Sequence, residues 1–323
     1  MVAMVSLPLW RRLCVKIGLV DDPGHRKIHD TSIPLAGGLT VFTALLAPLI
    51  AGVIFVYWNS LGSREASSSG TAFNLLGATS TFLIKYGFAH RALELAGIVF
   101  GAGAILLVGL LDDRYELRPA LKFGGQLVVA LLVAASGVRV TLFVPSLVVS
   151  YVLTILWILT VINAFNFMDN MNGLCAGLGG IGACYFAFAA AVEGQYLVTL
   201  IAILTLGALI GFLPYNFPKA RAFLGDSGSH LVGYLLAVLG ILPHFYTPEN
   251  PRPLAVLMPL FILGVPLLDL VWVVILRWRL GHPFYRGDNN HLSHRLVRLG
   301  LSRTRAVLVI WLAAAGLGAI CFW

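Results

Sequence analysis

SLVVSYVLTILWILTVINAFNFMDNMNGL, residues 146–174, reads as a membrane helix that ends in chemistry. Its apolar part, 146–163, is close to the roughly 20 residues needed to cross a hydrocarbon layer about 30 Å thick. Asn163, Asn166, Asp169 and Asn172 then recur at every third position among Phe165, Phe167, Met168 and Met171. Spacing by three keeps the polar groups on one slowly rotating helical face. The segment therefore predicts a span that delivers a ligand-facing polar stripe to the membrane boundary.

The rest of the chain repeats the first half of this pattern. Apolar runs stand at 33–58, 92–111, 120–138, 146–163, 174–192, 196–216, 230–246, 254–276 and 305–323. With 59% hydrophobic and 11% charged residues, and a mean hydropathy of +0.90, the 323 residues carry too little polar surface for a water-soluble domain. The expected fold is all-α and polytopic, nine transmembrane helices in one integral-membrane domain over 1–323. The apolar first ten residues, followed by Arg11 and Arg12, add a short N-terminal helix, the tail of a shortened first helix, without a signal-peptide cleavage pattern. Residues 59–90 read as an external loop, with 72–88 apolar enough for an interfacial or re-entrant helix. Cys14, Cys175, Cys184 and Cys321 form no C-x-x-C pair and read as small core residues.

Alternating the nine spans places 17 Lys and Arg residues on one side and five on the other, which marks the first side as cytoplasmic. The net charge of +8 is spread over short loops between spans, so lipid headgroups are its nearer partner and nucleic acid is not expected. Nine of the 14 carboxylates fall on the same side as the basic residues. Loops carry function on a scaffold of spans, so this side predicts one composite site. A transporter would instead place ionisable groups near mid-membrane and often show repeated halves, and no internal repeat is present.

Four more stretches on that side carry chemistry. In LVDDPGHRKIHDTSIPLAGG, 19–38, turn-forming Pro and Gly residues flank Lys27 and His29, cations suited to a phosphate or to anchoring the loop at headgroups. GLLDDRYELRP, 109–119, pairs Asp112 with Asp113, neighbours that repel unless a cation or proton intervenes; a helix terminus paired with Arg114 and Arg118 is the plainer reading. FLGDSGSHLVG, 223–233, sets Asp226 between Gly225 and Gly228 immediately before a span, where a carboxylate takes a hard cation, Ser227 or Ser229 can cap the following helix, and that helix terminus favours anionic oxygens. The last loop, 277–306, holds His291 and His294 with Arg295 and Arg298, suited to a diphosphate or to an amphipathic helix on headgroups. Asp269, inside a span, reads as a structural pairing.

Taken in order, DDPGHRKIH with IPLAGG, GLLDDR, NAFNFMDNMNGL, FLGDSGS and DNNHLSHRL resemble the polyprenyl-phosphate N-acetylhexosamine-1-phosphate transferases, over residues 18 to about 305. The resemblance implies attack by a lipid phosphate oxygen, direct or in two steps, on the β-phosphorus of a UDP-N-acetylhexosamine. UMP would leave, and a lipid diphosphate sugar would form on undecaprenyl phosphate. It further implies Mg²⁺, with Mn²⁺ as a substitute, held by Asp226 and Asp169, and catalysis by Asp112, Asp113 and Asp226. Substrate-binding positions carried over are Lys27, His29, Asn163, Asn166, Asp169, Asn172, Asn216, Phe223, His291, His294 and Arg295. The form of the last loop is more like the GlcNAc-1-phosphate branch than the phospho-MurNAc-pentapeptide branch.

Three departures accompany the likeness: Asn172 stands where the family commonly has a second aspartate, with Asn170 in place of glycine; Ser293 stands where it commonly has histidine; and the usual first membrane helix is missing or truncated before Gly18. The competing readings are the pentapeptide transferase and an inactive lipid-binding or transport protein that keeps the scaffold. By the same resemblance the protein sits in a bacterial inner membrane with its site facing the cytoplasm, starts a cell-surface glycan, and forms a homodimer.

Overall fold

A computed structural model describes residues 1–23, 31–66, 91–141, 146–243, 253–283 and 288–322. Helix α1 (Val2–Ile17) buries Ala3, Leu7 and Cys14 on one face and packs against α2 and α7. The strands β1 (Val20–Asp21) and β2 (Ile33–Pro34) pair antiparallel and close the base of the first loop. The bundle continues with α2 (Gly37–Ala66), α3 (Ala92–Tyr115), α4 (Pro119–Ala135), α5 (Leu147–Met168), α6 (Leu174–Val192) and α7 (Tyr196–Phe212). Then come α8 (Gly225–Ile241), the bent pair α9 (Met258–Ile262) and α10 (Gly264–Arg279), the short α11 (Leu292–Arg298) and α12 (Arg303–Ala319).

Helix α8 is the axis. Every residue from Ser227 to Leu239 is buried, so no face of this helix is left for solvent or lipid, and α2, α3, α5, α6 and α7 surround it. Small residues let the neighbours come close. At Gly109 of α3 a Cβ would lie 2.3 Å from the Ser227 Cα, so only glycine permits this crossing. The outer surface is apolar instead: Phe100, Leu107, Leu132, Leu156, Ile203 and Leu312 are all exposed, as expected of a surface solvated by lipid.

Helices occupy all nine predicted apolar stretches, and the expected short N-terminal helix is α1. Among the described residues six are long and apolar enough to cross a membrane, or seven if the pair bent by 67° at α9 and α10 is one span. Helix α4 is apolar but has 17 residues, and α8, also 17, carries Asp226, Ser227, Ser229 and His230 in its first half. The protein is thus a multi-pass, all-α membrane protein.

Two expectations need correction. The predicted spans stop at 111 and 163 and start at 230, yet α3 runs on through Asp112 and Asp113, α5 through Asn166, and α8 begins at Gly225. The carboxylates are therefore held on helix ends rather than in loops, because the helices extend beyond their apolar segments. Cys184 is exposed on α6 and Cys321 only partly covered, so only Cys14 and Cys175 are core residues. Of the expected external loop over 59–90, residues 59–66 continue helix α2 instead, and 67–90 lie outside the described residues.

Candidate active site

The site starts from how α8 begins. Asp113, on the last turn of α3, accepts hydrogen bonds from the backbone N–H groups of Asp226 at 2.7 Å and Ser227 at 3.0 Å, capping α8 from a neighbouring helix. Gly225 has φ +70°, and a Cβ there would lie 2.8 Å from the Asp113 carboxylate, so both backbone and space require glycine.

Asp226 then points between α4 and α5. Lys122 Nζ lies 3.1 Å from Asp226 Oδ2, 2.7 Å from Asp112 Oδ2 and 3.4 Å from Asn166 Oδ1. Asp112 Oδ1 accepts from the Leu117 N–H at 2.9 Å, while Asn166 Nδ2 donates to Asp226 Oδ1 and, at 3.0 Å, to Ser229 Oγ. Four helices so deliver two aspartates, an amide and an ammonium to one point, with Asp113 locking the turn behind it.

Lys122 was not among the residues singled out from the sequence. The available signal was a lone lysine within the apolar run of α4, four residues before a lone glutamine, since polar groups at such positions are seldom idle.

Beside this cluster opens a groove of about 730 Å³. Asp169, Asn172, Asn216, Phe223 and His294, all predicted, line it, together with Asn170, Phe217, Lys219, Arg303 and Thr304, which were not. Burial pushes the Asp169 carboxyl up to about 8, with the charges of Asp226 and Asp113 adding to the shift. Both amide atoms of Asn216 are committed to backbone: Oδ1 accepts from Gly173 N–H at 2.6 Å, and Nδ2 donates to the Ala222 carbonyl at 3.0 Å. Asn172 Nδ2 donates to the Pro218 carbonyl at 3.2 Å. These two amides fold the 213–222 segment onto the end of the α5 stripe.

Asn163 is set apart from the groove. Its amide nitrogen donates to Gln126 Oε1 and to the Leu159 carbonyl, each at 2.8 Å.

Helix α11 forms the opposite wall. His291 Nδ1 is 2.7 Å from Asp269 Oδ2, and Asp269 Oδ1 accepts from Leu292 N–H at 2.6 Å, so the span carboxylate read as a structural pairing orients the first histidine. The Phe167 ring meets His291 edge-on at 5.4 Å. Burial lowers the His294 pKa below the ordinary imidazole value, helped by His291, Arg298 and Arg303. Arg295 lies over the Trp272 ring at 4.7 Å. Ser293 Oγ donates to Asn170 Oδ1 at 2.7 Å, tying α11 to the end of α5. Lys27 and His29 lie outside the described residues.

Among the described residues no three His, Cys, Asp or Glu side chains stand close enough to share a metal ion. The Lys122 ammonium instead occupies the place between Asp112 and Asp226, a positive charge standing where two carboxylates face one another.

Residues 95–244, which include Asp112, Asp113, Lys122, Asn166, Asp169 and Asp226, match the family described as Glycosyl transferase family 4. Over 317 residues, 96% of this chain and 78% of the relative, the chain is 32% identical to a probable undecaprenyl-phosphate N-acetylglucosaminyl 1-phosphate transferase of Bacillus subtilis. It is 32% identical to the decaprenyl-phosphate N-acetylglucosaminephosphotransferase of Mycobacterium tuberculosis, over 94% of this chain and 74% of that one. With the undecaprenyl-phosphate alpha-N-acetylglucosaminyl 1-phosphate transferase of Escherichia coli it shares 27% identity, over 96% and 77%. The chain belongs to glycosyl transferase family 4, in the branch of the polyprenyl-phosphate N-acetylglucosamine-1-phosphate transferases.

Proposed function

We propose that this protein transfers N-acetylglucosamine 1-phosphate from UDP-N-acetylglucosamine to undecaprenyl phosphate. A phosphate oxygen of the lipid bonds to the β-phosphorus of the donor, the bond to the bridging oxygen breaks, and UMP leaves with that oxygen. The observation that carries the reading is the Asp112–Lys122–Asp226 arrangement beside a groove large enough for a nucleotide-sugar and walled on its far side by His294 and Arg303. Phosphoryl transfer asks a protein mainly for positioning and charge neutralisation, and this arrangement offers both.

The donor set fits Mg²⁺. Asp226, Asp169 and the amide oxygen of Asn166 are hard oxygen donors, and the Lys122 ammonium between Asp112 and Asp226 marks this as a place that attracts positive charge. Mg²⁺ is usually held by one or two carboxylates together with substrate phosphates and water, so a three-residue cage is not required. Held by Asp226 and Asp169, the ion would offset the diphosphate charge and make the β-phosphorus more electrophilic.

The chain's own groups divide the remaining work. Asp113, with both oxygens on the α8 amides, fixes where Asp226 stands. Asp112 and Lys122 orient the lipid phosphate at the membrane boundary. His291, aligned by Asp269, and His294 with Arg303 hold the diphosphate side, while Phe217 and Phe223 supply apolar walls for the nucleoside. With nine alternating crossings the basic residues divide 17 to five, which puts this end in the cytoplasm, and the family likeness puts the protein in a bacterial inner membrane.

Detergent-purified protein supplied with undecaprenyl phosphate and Mg²⁺ tests the reading directly. UMP release from UDP-GlcNAc, in preference to UDP-GalNAc and UDP-MurNAc-pentapeptide and absent in Asp226→Asn, is the expected result. Release from the pentapeptide donor alone would place the protein on the other branch's reaction.

A further inference from the structure

One turn deeper than Lys122, Asn166 and Asp226, the same three helices carry a second set of polar side chains. Gln126 stands four residues after Lys122 on α4, His230 four after Asp226 on α8, and Asn163 three before Asn166 on α5. Residues three or four apart share a helical face, so each deeper group lies beneath its counterpart. Asn163 Nδ2 donates to Gln126 Oε1 at 2.8 Å, and Gln126 Nε2 meets His230 Nε2 at 3.3 Å. The deeper set is thus continuous across all three helices, as the upper set is.

These groups are costly where they stand. Gln126 is 1% and His230 0% exposed, inside a bundle whose outer surface is apolar. With Gln126 Oε1 accepting from Asn163, the Gln126 amide nitrogen is the donor to His230 Nε2, which puts the imidazole proton on Nδ1. Nδ1 is buried and has no hydrogen-bond partner. A leucine would fill this space without stranding an N–H, so packing alone gives no reason for histidine.

We propose that Gln126, Asn163 and His230 form a positioning layer for the transfer reaction, which rests on the function proposed above. Their hydrogen bonds fix the rotation and relative height of α4, α5 and α8. A helix that turns or slides at this level carries Lys122, Asn166 or Asp226 out of hydrogen-bond range one turn above. His230 and Gln126 touch no substrate; they act through the helices that carry the site.

The test is steady-state UMP release from UDP-GlcNAc by the full chain, with thermal unfolding in detergent measured on every variant. His230→Leu and Gln126→Met each lower kcat by about 10- to 100-fold, the usual range for supporting partners of a site, while the donor KM stays within about twofold. His230→Gln, which can again hydrogen-bond Gln126, recovers most of the loss. The double variant is no worse than either single one, because each breaks the same connection. Thermal unfolding of His230→Leu is unchanged or raised, which separates lost positioning from lost fold. Should that variant fail to fold, Gln126→Met and Asn163→Leu carry the same comparison. Full kcat in the folded single variants, or losses that multiply in the double variant, overturns the positioning layer and leaves the function standing. Wild-type protein that releases no UMP overturns the function, and the layer with it.

Discussion

The two walls of the groove are built in opposite ways. On the α8 side, α3, α4, α5 and α8 each contribute a polar group to a network in which Asp112, Asp113, Asn166, Lys122 and Asp226 all have partners. On the α11 side a seven-residue helix capped by His291 carries Ser293 and His294, and the side chains that tie it to the bundle include Asp269, Asn170, Phe167 and Trp272. A network spread over the bundle cannot move one group without moving a helix. A short helix held by a few side chains can shift by itself. The first suits chemistry that needs fixed charge, the second a wall that adapts to a nucleotide-sugar.

Breaking the rigid wall gives the largest expected effect. Asp226→Asn removes a carboxylate from the centre of the network, and UMP release falls by about a thousandfold in folded protein. Lys122→Met leaves Asp112 and Asp226 facing each other without the ammonium; kcat falls by about a hundredfold, and a higher Mg²⁺ concentration recovers part of it. On the adaptable wall, Asp269→Asn releases the His291 ring and costs about 10- to 100-fold, and combining it with His291→Ala adds little further.

Proton competition sharpens the comparison. Since the Asp169 carboxyl is pushed up to about 8, it is protonated below that pH and ionised above it. At limiting Mg²⁺, kcat/KM rises by about tenfold per pH unit toward 8, because metal and proton compete for the same oxygens. More Mg²⁺ moves this limb to lower pH, and Asp169→Asn abolishes it. The raised value also means that stabilisation from the neutral carboxyl is fully present below the ordinary carboxylate range and is lost as pH rises through about 8. The smallest effect belongs to Ser293→Ala, which removes one hydrogen bond to Asn170 and lowers thermal stability by about 1 kcal/mol.

Asn170 and Ser293 also show what reading motifs one at a time leaves out. Each is a departure from the pattern this chain resembles, and each taken alone suggests a weakened site. In the fold they hydrogen-bond each other across 123 residues of sequence, and Asn170 Nδ2 donates to the Phe167 carbonyl as well. The two departures therefore act as one joint between α5 and α11. Asn216 makes the same point from the other direction: an expected substrate-binding position, it spends both amide atoms on the backbone turns that shape the groove.

What the sequence by itself determined was the solvent and the parts. Apolar runs of membrane length fix helices, because in lipid every backbone polar group must be satisfied within its own segment. The polar residues concentrated at the ends of those runs then name the chemistry. What only the tertiary structure decided was partnership. That Lys122 stands between Asp112 and Asp226, that Asp113 caps α8, that Asp269 aligns His291 and that Gln126 joins Asn163 to His230 depend on how helices rotate and cross. Helical periodicity tells which face a side chain shares with its own neighbours. It does not tell which other helix that face will meet.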